Sequence, residues 1–168
     1  RIGELARAEW KHIDFERAEW TVPDANSKAG RGFVVPLTPA AVACFKRLQP
    51  LASGSQFVLP ARQVRRRRTF GNADVHFEQR ALNAMLHKLC DRLEGKVRRF
   101  FPHDLRSTAR SYLSALGVNV IVAERCLNHK LGGLIDVYDQ HDYLSERRAA
   151  LETLAKFVES CESGSATS

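Results

Sequence analysis

Residues 18–22 and 32–37 are two short β-type runs on either side of the turn-forming stretch DANSKAG, and most of the remaining chain keeps a helical period. Asp, Asn, Ser and Gly between such runs favour a chain reversal, so the pair predicts an antiparallel hairpin with Lys28 near its tip. This hairpin decides the fold class. Helical spacing is read over 1–10, where Ile2, Leu5, Ala6 and Glu9 keep one stripe. It resumes over 40–49, introduced by Thr38 as cap and Pro39 in the first turn. QFVLP, at 56–60, is a candidate third strand, and the arginine-rich 61–72 reads as an exposed loop. Further helices are expected at about 74–93, 104–116, 119–127 and 145–160, separated by a glycine-broken stretch at 128–134 and followed by a fraying tail, SGSATS. The expected class is α+β: a mostly helical domain with a small antiparallel sheet of about three strands near the N-terminus.

With 168 residues, 44% hydrophobic and 27% charged, the chain holds enough apolar material for a single core. Lys and Arg number 26 against 19 Asp and Glu, a net charge of +7, which suits a polyanionic partner. Nucleic acid is the first candidate and an anionic membrane surface the second. No apolar run approaches the ~18 residues of a membrane span, so a soluble, cytoplasmic protein is expected. The four cysteines, at 44, 90, 126 and 161, lack the close pairing of zinc or redox sites and read as reduced, buried small hydrophobes. No Rossmann fingerprint, P-loop or HExxH site occurs.

PHDLRSTARSYLSALG, residues 102–117, places His103 and Arg106 three apart at the opening of an amphipathic helix. Side chains at that spacing share a face, and a helix N-terminus favours an anion. Arginine grips two phosphate oxygens through its planar fork, while histidine bonds another or passes a proton near neutral pH. A phosphodiester fits this pair; an ordinary surface pair is the plain alternative.

The stretches RIGEL, NSKAGRGFVVPL, HDLRSTA, RCLNHKLGGLIDVY and SERRAALETLAKFV follow one another in the order and at the approximate distances of the signature blocks of the tyrosine recombinase (phage integrase) family. The chain resembles that family from residue 1 to about 160, and most closely its prophage and satellite-phage type. The resemblance implies a DNA breaking-rejoining fold, with 1–162 as the C-terminal catalytic domain, 163–168 as a disordered tail, and DNA-binding domains upstream of this sequence. It matches Arg1 to the first catalytic arginine, Lys28 to the hairpin lysine, and His103 and Arg106 to the HxxR pair. His129 matches the second histidine, although LNH stands here where many members have LGH. Tyr138, nine residues after His129, matches the nucleophile.

Each residue type suits its role. A phenol, with a pKa near ~10, needs its proton removed to attack phosphorus, and His103 is the acceptor. Arg1 and Arg106 would neutralise charge on the non-bridging oxygens, His129 would add a hydrogen bond, and Lys28 would protonate the departing 5′-oxygen. The scheme uses no metal and no cofactor. Tyr143 is the rival nucleophile, and Tyr112, about 120° off the Arg106 face, reads as packing. Arg65, Arg66, Arg67 and Arg68 are expected to touch DNA phosphates.

The implied function is site-specific integration or excision of a mobile element at double-stranded DNA attachment sites, by a homotetramer in the synaptic complex and a monomer as an isolated fragment. A type IB-like topoisomerase and a catalytically inactive DNA-binding domain remain as alternatives. The last helix carries an apolar stripe of Leu144, Ala150, Leu151, Leu154, Phe157 and Val158, which would dock either on its own domain or on a neighbour.

Overall fold

The computed structural model describes residues 1–61, 71, 73–129, 131 and 141–164. Among these are six α-helices and one three-stranded antiparallel sheet. The strands are β1 (Ile13–Asp14), β2 (Glu19–Val22) and β3 (Phe33–Pro36), and the helices are α1 (Ile2–Ala6), α2 (Pro39–Leu48), α3 (Gln79–Arg92), α4 (Pro102–Ala115), α5 (Val120–Cys126) and α6 (Leu144–Glu162). The α+β class expected from the sequence is the one observed.

The hairpin forms as its pattern predicts. Trp20 and Val22 alternate inward with Thr21 outward on β2, and Trp20 lies opposite Val35 while Val22 lies opposite Phe33. At the turn, Asp24 Oδ1 accepts from the Gly32 amide at 2.6 Å. A Cβ on Gly32 would sit 2.6 Å from the Val22 carbonyl oxygen, so only glycine fits. Thr38 caps α2 by accepting from the Ala41 amide at 3.2 Å, with Pro39 in the first turn. Phe45 of α2 then packs on Trp20, their ring centroids 6.3 Å apart, within a core of Ala8, Ile13, Val22, Leu37 and Val58.

Three expectations need correction. The first helix ends at Ala6 instead of running to residue 10. Backbone beyond it is recruited elsewhere: Val58 donates to the Ala8 carbonyl at 2.9 Å and Trp10 to that of Gln56 at 3.0 Å. The same pairing removes QFVLP from the sheet, leaving an isolated bridge between Glu9 and Phe57. The third strand is β1, held at its turn by Asp14 Oδ1, which accepts from the amides of Glu16 and Arg17. Finally, α3 starts at Gln79, not near residue 74, because Asp74 is engaged by Ser55 Oγ at 2.7 Å and the Gln56 amide at 2.8 Å, while His76 bridges Pro60.

A second core joins α4, α5 and α6 through Leu113, Val122, Ala123 and Ala150. Helix α6 docks on its own domain and ties this core to the sheet. Arg147, 2% exposed, donates to the Val34 carbonyl of edge strand β3 at 2.7 Å, to the Asp142 carbonyl at 2.8 Å and to Asp142 Oδ2 at 2.6 Å. Arg148 reaches the Ala18 carbonyl at 3.2 Å and Glu19 Oε1 at 3.1 Å.

The cysteines also depart from expectation. All four are free, but only Cys90 is buried, Cys126 is half-buried, and Cys44 and Cys161 are exposed. Burial pushes the Cys126 thiol up to about 11. Among the described residues no helix is long and apolar enough to cross a membrane.

Candidate active site

The first turn of α4 opens behind Pro102, with the Phe101 amide donating to Asp104 Oδ2 at 2.8 Å. His103 is exposed there, whereas Arg106 is half-buried and directed at the turn after α5. Its Nη2 donates to the Leu127 carbonyl and its Nε to His129 Nε2 at 3.3 Å. Three apart on α4, His103 and Arg106 share a face as predicted, the first exposed and the second half-buried, and among the described residues no hydrogen bond joins them.

The end of α5 explains the LNH variant. Asn128 has φ of 49° in the left-handed region; its amide donates to the Arg125 carbonyl at 3.1 Å, and the His129 amide to that of Glu124 at 3.0 Å. These two bonds make a Schellman closure, whose left-handed position accepts glycine or asparagine. Either residue therefore delivers the histidine to the same place. The ring is then held by Glu124, whose Oε2 lies 2.5 Å from His129 Nδ1, while its Oε1 accepts from Arg110 Nε at 2.7 Å. Arg110 and then burial, which opposes it, act most strongly on the Glu124 carboxyl, and with His129 beside it the balance keeps the group below the ordinary carboxylate range.

Arg1 enters from α1. Its Nη2 donates to the Asn128 carbonyl at 3.4 Å, which brings it to the turn that Arg106 also contacts. Glu4, 3% exposed, holds it there through the Arg1 main-chain nitrogen at 2.9 Å and Nη1 at 3.3 Å. The same carboxylate accepts from the Lys28 amide at 3.3 Å, so the hairpin tip is anchored to α1. Arg7 and Asn26 add a second tie, Nη2 to carbonyl at 3.1 Å. The Lys28 side chain itself is exposed.

The described residues thus bring Arg1, Arg106 and His129 to one turn, 127–129, and tie the Lys28 backbone to Arg1 through Glu4. Burial first, and then the like charge of Arg1, push the Arg106 guanidinium below its usual value, with Glu4 and Glu124 opposing. Two half-buried guanidiniums that repel one another gain from an anion placed between their forks, and a tetrahedral phosphate has the right charge and acceptor geometry. Tyr138 and Arg65, Arg66, Arg67 and Arg68 lie outside the described residues. Of the rival tyrosines, Tyr143 packs against the second core with its ring centroid 4.5 Å from that of His141, and Tyr112 stacks 4.6 Å from Phe157.

Sequence reasoning missed both carboxylates, Glu4 and Glu124. Glu4 stands inside RIGEL, and its spacing of three from Arg1 was a usable signal. Glu124 lies five residues before His129, a spacing that means nothing until the helix is known to close between them.

A model of the phage integrase family matches residues 1–144. Prophage integrase IntA of Escherichia coli (strain K12) is 31% identical over 166 residues, covering 98% of this chain and 37% of the relative. Prophage integrase IntZ of the same strain is 30% identical over 166 residues, covering 98% of this chain and 38% of the relative. The chain therefore spans well under half the length of these curated relatives.

Proposed function

The chain belongs to the phage integrase family, and on that premise we propose that it is the catalytic domain of a site-specific recombinase that cleaves and rejoins DNA through a 3′-phosphotyrosyl intermediate. The Tyr138 phenol oxygen attacks the scissile phosphorus as His103 takes its proton; the P–O5′ bond breaks, and Lys28 gives the leaving oxygen a proton. Arg1 and Arg106 neutralise the non-bridging oxygens as charge builds on them, the contribution that is usually largest in such reactions. His129 bonds the same phosphate. Rejoining reverses each transfer, with a 5′-hydroxyl from another strand attacking the phosphotyrosine.

One observation carries this reading: two arginines and a histidine from three separate helical segments meet at the 127–129 turn. The substrate is double-stranded DNA at the attachment sites of a mobile element, the assembly a homotetramer at synapsis, and the compartment the cytoplasm. Arg65 to Arg68 supply sequence-independent phosphate contacts.

The test is denaturing electrophoresis of the natural full-length protein with a nicked duplex of the element's junction sequence, run in EDTA. A covalent adduct is expected from the wild type and from Tyr143→Phe, and none from Tyr138→Phe. An adduct that survives Tyr138→Phe refutes the nucleophile.

A further inference from the structure

The ring of His129 is held from both sides, and its protonation state follows from the partners. Arg106 Nε, 3.3 Å from Nε2, belongs to a guanidinium that has only donors, so Nε2 presents a lone pair. On the other side Glu124 Oε2 is 2.5 Å from Nδ1. An ionised carboxylate only accepts, so the ring proton sits on Nδ1. The Glu124 carboxyl is kept ionised chiefly by Arg110, whose Nε lies 2.7 Å from Oε1 and whose Nη1 is braced 2.5 Å from Ser114 Oγ.

We propose that Glu124 is a positioning residue for the recombination chemistry: it fixes the ring of His129 with Nε2 toward the phosphate site and acts as counter-charge when that nitrogen donates. The inference rests on the reading that His129 bonds the scissile phosphate. A phosphate oxygen only accepts, so the contact needs a proton on Nε2. With Nδ1–H still directed at Glu124, the ring then carries both protons, the second taken from solvent as phosphate displaces Arg106 from Nε2. Among the described residues, the charged groups around this ring are Glu124 and Arg106, with Arg1, Glu4 and Arg110 behind them. Arg110 thereby acts at two removes, by aiming the carboxylate.

A carboxylate that merely stapled α5 to α4 would leave the tautomer and the histidine's contribution unchanged, which separates the two roles. In the natural full-length protein labelled with 15N-histidine, His129 should show a protonated Nδ1 and an unprotonated Nε2 at pH 8. Glu124→Gln, whose amide oxygen still accepts, should keep that pattern, and Glu124→Ala should lose it. On the nicked duplex, Glu124→Ala should form adduct roughly 10- to 100-fold more slowly, with DNA binding changed less than about twofold, since orienting partners of this kind typically carry that weight. Glu124→Gln should fall between, and Arg110→Met should lie on the same side. In a His129→Ala background, Glu124→Ala should cost nothing further.

An unchanged tautomer in Glu124→Ala, a wild-type rate for that variant, or an equal further loss on top of His129→Ala would overturn the proposal. If Glu124→Ala does not fold, Glu124→Gln and Arg110→Met decide by the same readouts. Absence of adduct from the wild type would instead sink the recombinase reading, and the tautomer measurement would still judge Glu124.

Discussion

Arg147→Met removes one of the two charges that join α6 to the sheet while nearly conserving volume and apolar contact. The structure divides the lost interactions into two kinds. The ion pair with Asp142 has one partner in water, since the Asp142 side chain is 63% exposed against 2% for Arg147, and pairs of that sort contribute about 0–1 kcal/mol. The other two bonds run from the buried guanidinium to the carbonyls of Val34 and Asp142. Bonds with a charged donor contribute roughly 1.5–3 kcal/mol each; taking the lower end, because the Asp142 backbone can reach water, the pair amounts to about 3 kcal/mol. Urea unfolding followed by circular dichroism should therefore show Arg147→Met destabilised by about 3 kcal/mol at unchanged slope, and Asp142→Asn by less than about 1 kcal/mol. Equal losses for the two variants would mean that the ion pair holds the helix and that the carbonyl bonds contribute little, refuting the division made here.

Three other outcomes are expected. Asn128→Gly should be close to neutral in stability, whereas Asn128→Val should cost about 1–2 kcal/mol and slow cleavage, because a β-branched residue strains the left-handed closure before His129; thermal melts and the adduct assay check both. Glu124 has a lowered pKa in the fold, so its contribution is present above the unfolded value of 4.5 and disappears as pH falls through the lower folded value. The stability gap between wild type and Glu124→Gln should thus be wide at pH 7 and narrow as the pH falls below 4.5, and a gap that does not narrow contradicts the assigned shift. Arg106→Lys keeps the charge but loses the fork, and should lower the rate of adduct formation by about 100-fold, the scale expected for one preorganised donor; near-normal cleavage would leave Arg106 as a diffuse charge only.

What the sequence could disclose divides along the distance over which each feature is decided. Thr38-Pro39, the DANSKAG turn and the asparagine of LNH act within a few residues, and all three do in the fold what their chemistry predicts. The ends of the first and third helices are decided elsewhere: residues 8–10 pair with 56–58, and Asp74 to Phe77 with residues 55–61. Those partners lie far enough apart in the chain that no local period reveals them. β1, with two residues, is too short to alternate visibly. At the candidate site the basic residues were picked out by the motifs that resemble the family's, and of these the fold brings Arg1, Arg106 and His129 to one turn. The carboxylates Glu4 and Glu124 were not, since an acidic residue on a helix is ordinarily solvated and only tertiary contact turns it into a brace.

The Arg147 bond to Val34 spans 113 positions of chain, and that span has a consequence during synthesis. The sheet and α2 complete their own core with residues up to Val58, so this part can assemble before the helices that follow it are made. Until Arg147 emerges, β3 remains an edge with an open carbonyl, the kind of template that recruits another chain. Helix α6 thus arrives long after the strand whose edge it shields. Chains that stop short of it leave that rim unprotected, and exposed edges of this kind are what chaperones and proteases meet.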